Sequence, residues 1–209
     1  MEGLLSFPFV WIGNPNSLLI NGKGIAPECL EGGVSFNNSL LCLDTCQGDP
    51  LALLAMVNVT EGMTYRLRLI NSGQLVEMNF AIAMHNLTIV QVEGTNIEPV
   101  KVASIDIAPG QRYDVLVTAD QTPGSYMIET TVRERKIEGV KGMAIFQYTG
   151  ANVVLPQELP VHPLYNETAF GIAQDLSLKT LNVSQHPQAS ALAVGVNVTR
   201  YILVGTQNG

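Results

Sequence analysis

The chain has few charged residues and few of the side chains that usually carry catalytic chemistry. Asp, Glu, Lys and Arg make up 14% of its 209 residues, where roughly a quarter is usual for a soluble domain. No G-x-S-x-G, G-x-G-x-x-G or P-loop pattern is present, so the sequence lacks a nucleophile elbow and a phosphate loop. Its three histidines include no His-x-His pair. These absences argue against a self-contained hydrolase or nucleotide-binding enzyme.

The charge balance and the lack of long apolar runs exclude further classes of protein. The formal net charge is −7 and the isoelectric point is about 4.9, so the surface would be repelled by duplex DNA or an anionic membrane. No run of about 20 apolar residues is present, and the sequence predicts no transmembrane helix. The first ten residues also lack the basic and apolar regions of a signal peptide.

Glycosylation sequons are more frequent than composition explains. The sequence contains six N-x-S/T triplets, about three times the number expected by chance, and none contains proline at the middle position. They predict a secreted glycoprotein, although crowding of Asn, Ser and Thr in turns is the alternative. Sequons predict secretion, whereas the first ten residues show no signal peptide. Both observations are explained if the chain is an internal piece of a longer secreted protein. The asparagines concerned are Asn37, Asn58, Asn86, Asn166, Asn182 and Asn197.

Strand patterns dominate the middle of the chain. Apolar residues alternate with arginines from Tyr65 to Leu69, which is the period-2 pattern of a half-buried strand. Pro109-Gly110 and Pro123-Gly124 each separate two further strand-like segments. Turn signals at this spacing, with no convincing amphipathic helix between them, predict an antiparallel β-sandwich.

The chain divides into four segments by composition. We predict a lead-in at residues 1–16, a sandwich domain at 17–150 and a linker at 151–198, which begins with a proline-rich stretch that cannot be helical. The last segment, 199–209, contains an isolated strand with no successor. It predicts the first element of a further domain.

Five stretches resemble the second, middle domain of the multicopper oxidases, and plant ascorbate oxidases more than laccases. They lie at residues 8–24, 65–72, 78–94, 105–121 and 200–208, and include P-F-V-W-I-G-N-P-N and I-D-I-A-P-G-Q-R-Y-D-V-L-V-T. The resemblance implies an all-β, cupredoxin-like (plastocyanin-like) Greek-key sandwich followed by an extended C-terminal linker. It covers nearly the whole chain but only about a third of a complete enzyme.

The resemblance also implies a function for the longer protein. A multicopper oxidase of the apoplast or cell wall oxidises a small organic reductant and passes electrons through copper to dioxygen, which becomes water. The copper would belong to the full-length parent, and the partners of this chain would be the flanking cupredoxin domains of the same polypeptide. The alternative is a stand-alone, non-catalytic, glycosylated cupredoxin-like binding module. Ascorbate, a phenol and a metal ion all remain possible reductants.

Three cysteines leave one thiol without an internal partner if two of them pair. Cys29 and Cys42 lie 13 residues apart, a feasible span for a disulfide, although three free thiols are the alternative. The family resemblance implies a disulfide inside this same loop. It also implies that Cys46 pairs with a cysteine of the preceding domain, outside this chain.

The histidines do not form a copper site by themselves. Blue-copper sites use two His and one Cys, and trinuclear clusters use several imidazoles, but His85, His162 and His186 are widely separated. His85 matches a non-ligand histidine of the family, so a structural role is expected. The other two precede proline and are predicted to be solvated. We therefore predict no metal ligand and no catalytic residue within this chain.

Trp11 and two aspartates complete the candidate residues. Trp11 is the only tryptophan, and it matches a residue that lines the reductant pocket of ascorbate oxidases; an indole there could stack on a planar substrate. A core or interdomain role is the alternative. Asp106 and Asp114 flank a turn and are expected to pair with Arg112 or Arg133 instead of forming an acid–base pair.

Overall fold

The computed structural model describes residue 15 and residues 17–24, 50–137 and 139–181. Nine strands and two helices lie within these ranges. The strands are β1 Ala55–Val59, β2 Thr64–Ile70, β3 Met78–Ile82, β4 Leu87–Val92, β5 Thr95–Val102, β6 Ser104–Ile107, β7 Arg112–Thr118, β8 Ser125–Val132 and β9 Lys141–Tyr148. The helices are α1 Pro50–Leu53 and α2 Thr168–Ser177.

The strands form two sheets that face each other. One sheet has the order β1-β9-β8-β3-β6 and the other has the order β2-β7-β4-β5. All neighbouring strands are antiparallel except β1, which runs parallel to β9. The predicted β-sandwich is therefore confirmed.

Alternate residues along a strand are the more buried ones, and they mark the face of the strand that points into the core. Along β2 the leucines and Tyr65 are more buried than the arginines between them, as the alternation predicted. Inward residues of both sheets form one main core, in which Leu87, Ile89, Ile105 and Val115 have no exposed surface. Burial of these branched side chains provides the main driving force for closing the two sheets together.

The sheet that contains β8 is unusual because part of its outer face is also buried. Strands β8 and β9 are buried along nearly their whole length on both faces, which is a pattern of strands covered on two sides. The chain after β9 supplies part of this cover, because hydrogen bonds tie it to β3 and β6 and an ion contact ties it to β8.

The segment after the sandwich is partly helical. Residues 151–164, which contain Pro156, Pro160 and Pro163, form no helix or strand, as expected, but α2 follows at Thr168–Ser177. The sequence did not predict this helix. No helix in the described part of the chain is long and apolar enough to cross a membrane.

Candidate functional site

A cluster of buried polar side chains lies between the outer face of the five-stranded sheet and the segment that follows the sandwich. Sheet register places Asn79 of β3 beside Asp106 of β6 on one side and beside Thr131 of β8 on the other. Glu129 lies two residues before Thr131, so its side chain points to the same face. The cluster therefore arises from polar residues at outward positions of three adjacent strands.

An ion pair between Asp106 and Arg133 is at the centre of the cluster. Nε of Arg133 lies 3.0 Å from each carboxylate oxygen, and both side chains are only 4% exposed. The Asn79 amide donates a third hydrogen bond to the same carboxylate, at 2.7 Å. Buried charges require this kind of compensation, because an unpaired charge in the interior is strongly destabilising.

Arg133 also holds the chain that follows the sandwich. Its two terminal nitrogens donate hydrogen bonds to the carbonyl oxygens of Leu164 and Glu167, the second at 2.8 Å. Its guanidinium group lies 5.8 Å from the ring centre of Phe170 in α2, within the range of a cation–π contact. One arginine thus connects a sheet carboxylate to three positions around the start of α2.

Gln174 of α2 completes the edge of the sheet. Its amide oxygen accepts the backbone N–H of Asp106 at 2.8 Å, and its amide nitrogen donates to the backbone oxygen of the same residue at 2.9 Å. Because β6 is an edge strand, these groups would otherwise need a neighbouring strand or water. The amide of Gln174 therefore takes the place of a neighbouring strand.

His162 joins the cluster from the segment between the prolines. Its Nδ1 lies 2.6 Å from the side-chain oxygen of Asn79, and its Nε2 lies 3.4 Å from Glu129. Lys141 contacts the same glutamate at 3.0 Å. Burial alone would raise the pKa of Glu129, but the contacts with His162 and Lys141 outweigh it and lower that pKa below its usual value.

An acidic pocket of about 220 Å³ lies beside the Asp106–Arg133 pair. Glu77, Glu134 and Asp175 line it together with that pair. The pKa of Glu77 is raised, first by burial and then by the neighbouring negative charges. The pocket is therefore suited to neutral or cationic groups and unsuited to anions.

His85 lies in a separate, aromatic environment. Its Nδ1 is 2.7 Å from the carbonyl oxygen of Ala83, and its Nε2 is 2.8 Å from the hydroxyl of Tyr148. A carbonyl oxygen only accepts hydrogen bonds, so Nδ1 carries the proton and Nε2 accepts from the tyrosine. Burial lowers the pKa of His85, which favours this neutral form. Both ring nitrogens are therefore occupied by structural contacts.

The described residues do not provide a donor set that suits copper. Within this part of the chain, no three His, Cys, Asp or Glu side chains are placed so that they could hold a metal ion together. His85 has both ring nitrogens engaged, and His162 faces a glutamate that already contacts a lysine. Blue-copper and trinuclear copper sites need several imidazoles, or imidazoles with a thiolate. The arrangement is suited instead to fixing the C-terminal segment on the sandwich.

The sequence-predicted site residues fall into two groups. Three sequon asparagines have exposed side chains: Asn58, Asn86 and Asn166. The others lie outside the described residues, and their roles stay predictions: Trp11, Cys29, Cys42, Cys46, Asn37, Asn182 and Asn197. The strand expected after residue 198 lies outside as well.

Two predictions about charged and ionisable side chains need correction. His162 was expected to be solvated, yet it is 9% exposed, because the proline-rich segment folds back over the sheet. Asp114 pairs with Arg66 and Arg68 of the adjacent strand β2, and not with either of the expected arginines. The sheet register places Arg68 directly opposite Asp114, and Arg66 lies two residues away on the same face of β2, so both arginines can reach the carboxylate. The expected pairing of Asp106 with Arg133 is confirmed.

Sequence reasoning missed Asn79, Glu129 and Gln174. The available signal was a polar residue inside an apolar strand, as in M-N-F-A-I and S-Y-M-I-E-T. A buried polar side chain requires partners, so such positions indicate a second layer over the sheet. Nothing local in the sequence identifies that layer as the segment 160–177.

Comparisons with known proteins identify similar chains. The family model described as multicopper oxidase matches residues 5–151. An L-ascorbate oxidase of Brassica rapa subsp. pekinensis is 34% identical over 212 residues, which cover 99% of this chain and 35% of that protein. Laccase-2 of Oryza sativa subsp. japonica is 35% identical over 142 residues, covering 66% of this chain and 25% of the rice protein.

Among solved structures, a laccase from Botrytis aclada superposes with a TM-score of 0.56 at 28% identity. The match covers 74% of this chain and 28% of the laccase. The chain thus spans about a third of the length of these relatives or less.

Proposed function

Because this chain belongs to the multicopper oxidase family, we propose that it is the middle domain of an extracellular enzyme that oxidises a small organic reductant and reduces dioxygen to water. The observation that carries the proposal is the family match over residues 5–151. The small share of each relative that the chain covers, 35% for the Brassica protein, supports a longer parent polypeptide.

The copper of the proposed enzyme would be held by flanking cupredoxin domains. The described residues bring together no set of copper ligands, and the two described histidines have structural partners. When bound, copper would supply the one-electron steps between the reductant and dioxygen. This chain's own part is to space the neighbouring domains and to keep the segment after the sandwich in one position.

The buried cluster supports this spacing role. Arg133, Gln174 and His162 connect the sheet to the segment that follows it through at least five hydrogen bonds and ion contacts. In the proposed parent, that segment continues towards the next domain. A rigid exit from the sandwich would fix the distance between two copper-bearing domains, which matters because electron transfer between metal centres depends on their separation.

The proposed enzyme also gives roles to Trp11, to the three cysteines and to the exposed sequon asparagines. Trp11 would contribute one wall of the reductant pocket, with the remaining wall supplied by another domain. The reductant would be ascorbate or a phenol, with a metal ion as the third class. Cys29 and Cys42 would form a disulfide, Cys46 would pair outside this chain, and exposed sequon asparagines such as Asn58 are accessible to glycosylation.

Sequencing the transcript through both ends of this reading frame tests the proposal. We expect His-x-His pairs upstream and a His-Cys-His run downstream, because the copper ligands must come from those regions. In-frame stop codons directly before Met1 and after Gly209 would overturn the proposal. They would leave the copper-free, glycosylated binding module as the function.

A further inference from the structure

The protonation state of His162 is determined by a chain of hydrogen bonds that starts at Asp106. The Asp106 carboxylate only accepts, so the Asn79 nitrogen must face it, at 2.7 Å. The Asn79 oxygen therefore faces Nδ1 of His162, at 2.6 Å. An amide oxygen also only accepts, and Nδ1 must carry a proton. The tautomer of the neutral ring is thus fixed with its lone pair on Nε2.

This lone pair would point at a negative charge. Nε2 of His162 lies 3.4 Å from one oxygen of Glu129, and these side chains are 9% and 2% exposed. Within the described residues, neither Nε2 nor the second oxygen of Glu129 has a hydrogen-bond partner. A neutral ring would therefore place a lone pair against a buried carboxylate, whereas a charged ring places an N–H group there.

We propose that His162 is a protonation-dependent latch, which in its charged form bridges Asn79 and Glu129 and holds the segment around residues 160–167 on the sheet, and in its neutral form loosens that segment. Histidine is the side chain whose charge changes between about pH 5 and pH 8. The latch is closed at the acidic end of this range and weakened at the alkaline end, because only the charged ring presents an N–H group to Glu129.

Three other charged side chains lie around the ring, and each contacts a charged partner. Lys141 of β9 contacts Glu129 at 3.0 Å. Because Lys141 belongs to the sheet, its contact does not hold the segment around residues 160–167, whereas His162 connects that segment to Glu129. Asp106 of β6 acts through Asn79 and is itself paired with Arg133. The low pKa of Glu129 keeps this carboxylate ionised, so the ring is the group that switches.

Arg133 and Gln174 limit how far the segment opens. Arg133 binds the backbone of Leu164 and Glu167, and Gln174 binds the edge of β6. These contacts do not involve the His162 ring, so the neutral form of His162 loosens the segment without releasing α2. The latch lies within this chain and does not depend on whether the parent is an oxidase.

Amide hydrogen exchange of the full 209-residue chain tests the latch. The reporters are the amides of Glu134 and Glu167, which donate to backbone oxygens of Tyr165 and Leu164. After correction for the intrinsic pH dependence of exchange, we expect their protection to fall about tenfold from about pH 5 to pH 8. The amide of Val115, in the centre of the core, should show no such change.

Variants separate the latch from a general effect of pH. His162→Asn should remove the pH dependence at both reporters, whereas His186→Asn, which alters the other His-Pro pair, should retain it. An equal fall in protection in His162→Asn and in the unaltered chain would overturn the proposal. Constant protection in the unaltered chain would overturn it as well.

Nuclear magnetic resonance of the histidine ring nitrogens gives an answer that does not depend on a variant folding. In the folded, unaltered chain at about pH 5, we expect protons on both Nδ1 and Nε2 of His162. His85 should keep a proton on Nδ1 only, because its Nε2 accepts from Tyr148. A His162 ring without a proton on Nε2 at every pH where the chain is folded would contradict the latch.

Discussion

The side-chain oxygen of Asn79 accepts a hydrogen bond from His162 at 2.6 Å, although the two residues are 83 positions apart. Asn79 belongs to the sandwich, and His162 belongs to the segment that follows it. The segment is therefore packed as a second layer on the sheet, and its contacts are polar and buried.

Replacement of Arg133 by methionine should destabilise the chain by about 3–5 kcal/mol. The substitution keeps much of the side-chain volume but leaves the Asp106 carboxylate buried without its cation. Urea denaturation at neutral pH measures the change in the free energy of unfolding.

Arg112→Met is the matched control for this substitution. Arg112 pairs with Glu93 at 3.2 Å, but both side chains are about half exposed. An exposed pair of this kind contributes less than about 1 kcal/mol. Equal losses in the two variants would contradict the importance assigned to the buried pair.

Replacement of Gln174 by leucine should cost about 1–3 kcal/mol and expose the edge of the five-stranded sheet. The backbone N–H and C=O of Asp106 lose their partner, and a buried orphan group is costly. Hydrogen exchange should show faster exchange at the Asp106 amide. Asp175→Asn changes an exposed neighbour on the same helix, and it should leave that amide as protected as before.

Much of the sandwich was predictable because its signals are local. The alternation in β2 and the Pro-Gly turns at residues 109–110 and 123–124 reflect steric and burial preferences of neighbouring residues. The structure has strands on both sides of each turn. The family resemblance added the overall architecture, and the fold confirms it.

The layer over the sheet was not predictable, because its signals are distant in sequence. Gln174 contacts a residue 68 positions away, and α2 itself has weak helix signals. Its sequence contains Gly171, and no side chain caps its first turn. The helix forms because tertiary contacts hold it, which propensity alone does not reveal.

Replacement of Glu77 by glutamine should stabilise the chain at pH 7 and have no effect near pH 4. The folded-state pKa of Glu77 is raised above its ordinary 4.5 by burial and by neighbouring carboxylates. The protonated side chain therefore contributes to stability below the ordinary pKa of 4.5. This contribution is lost as the pH rises through the folded-state pKa. Neutral glutamine avoids the penalty at pH 7.

The check is the urea midpoint of both chains at the two pH values. Glu98→Gln, at an exposed glutamate on β5, is the control for a general effect of net charge. A Glu77→Gln variant that is less stable at pH 7 would show that the ionised side chain makes a favourable contact instead.

Secretion from a eukaryotic host should add glycans at the exposed sequons. Asn58, Asn86 and Asn166 have exposed side chains, which leaves room for a bulky glycan on the folded chain. Each single Asn→Gln substitution should reduce the mass of the secreted chain by one glycan, as measured by intact-protein mass spectrometry before and after glycosidase treatment. A secreted chain of unmodified mass would contradict the extracellular glycoprotein proposal.

Oxygen uptake by the complete gene product, with its copper content measured on the same sample, tests the central claim most directly. The account predicts several copper ions per molecule and oxygen consumption with ascorbate or a phenol, and neither property in the 209-residue chain alone. A complete product that is copper-free and inactive, or a 209-residue chain that consumes oxygen by itself, would contradict the assignment of this chain as the structural middle domain of an oxidase.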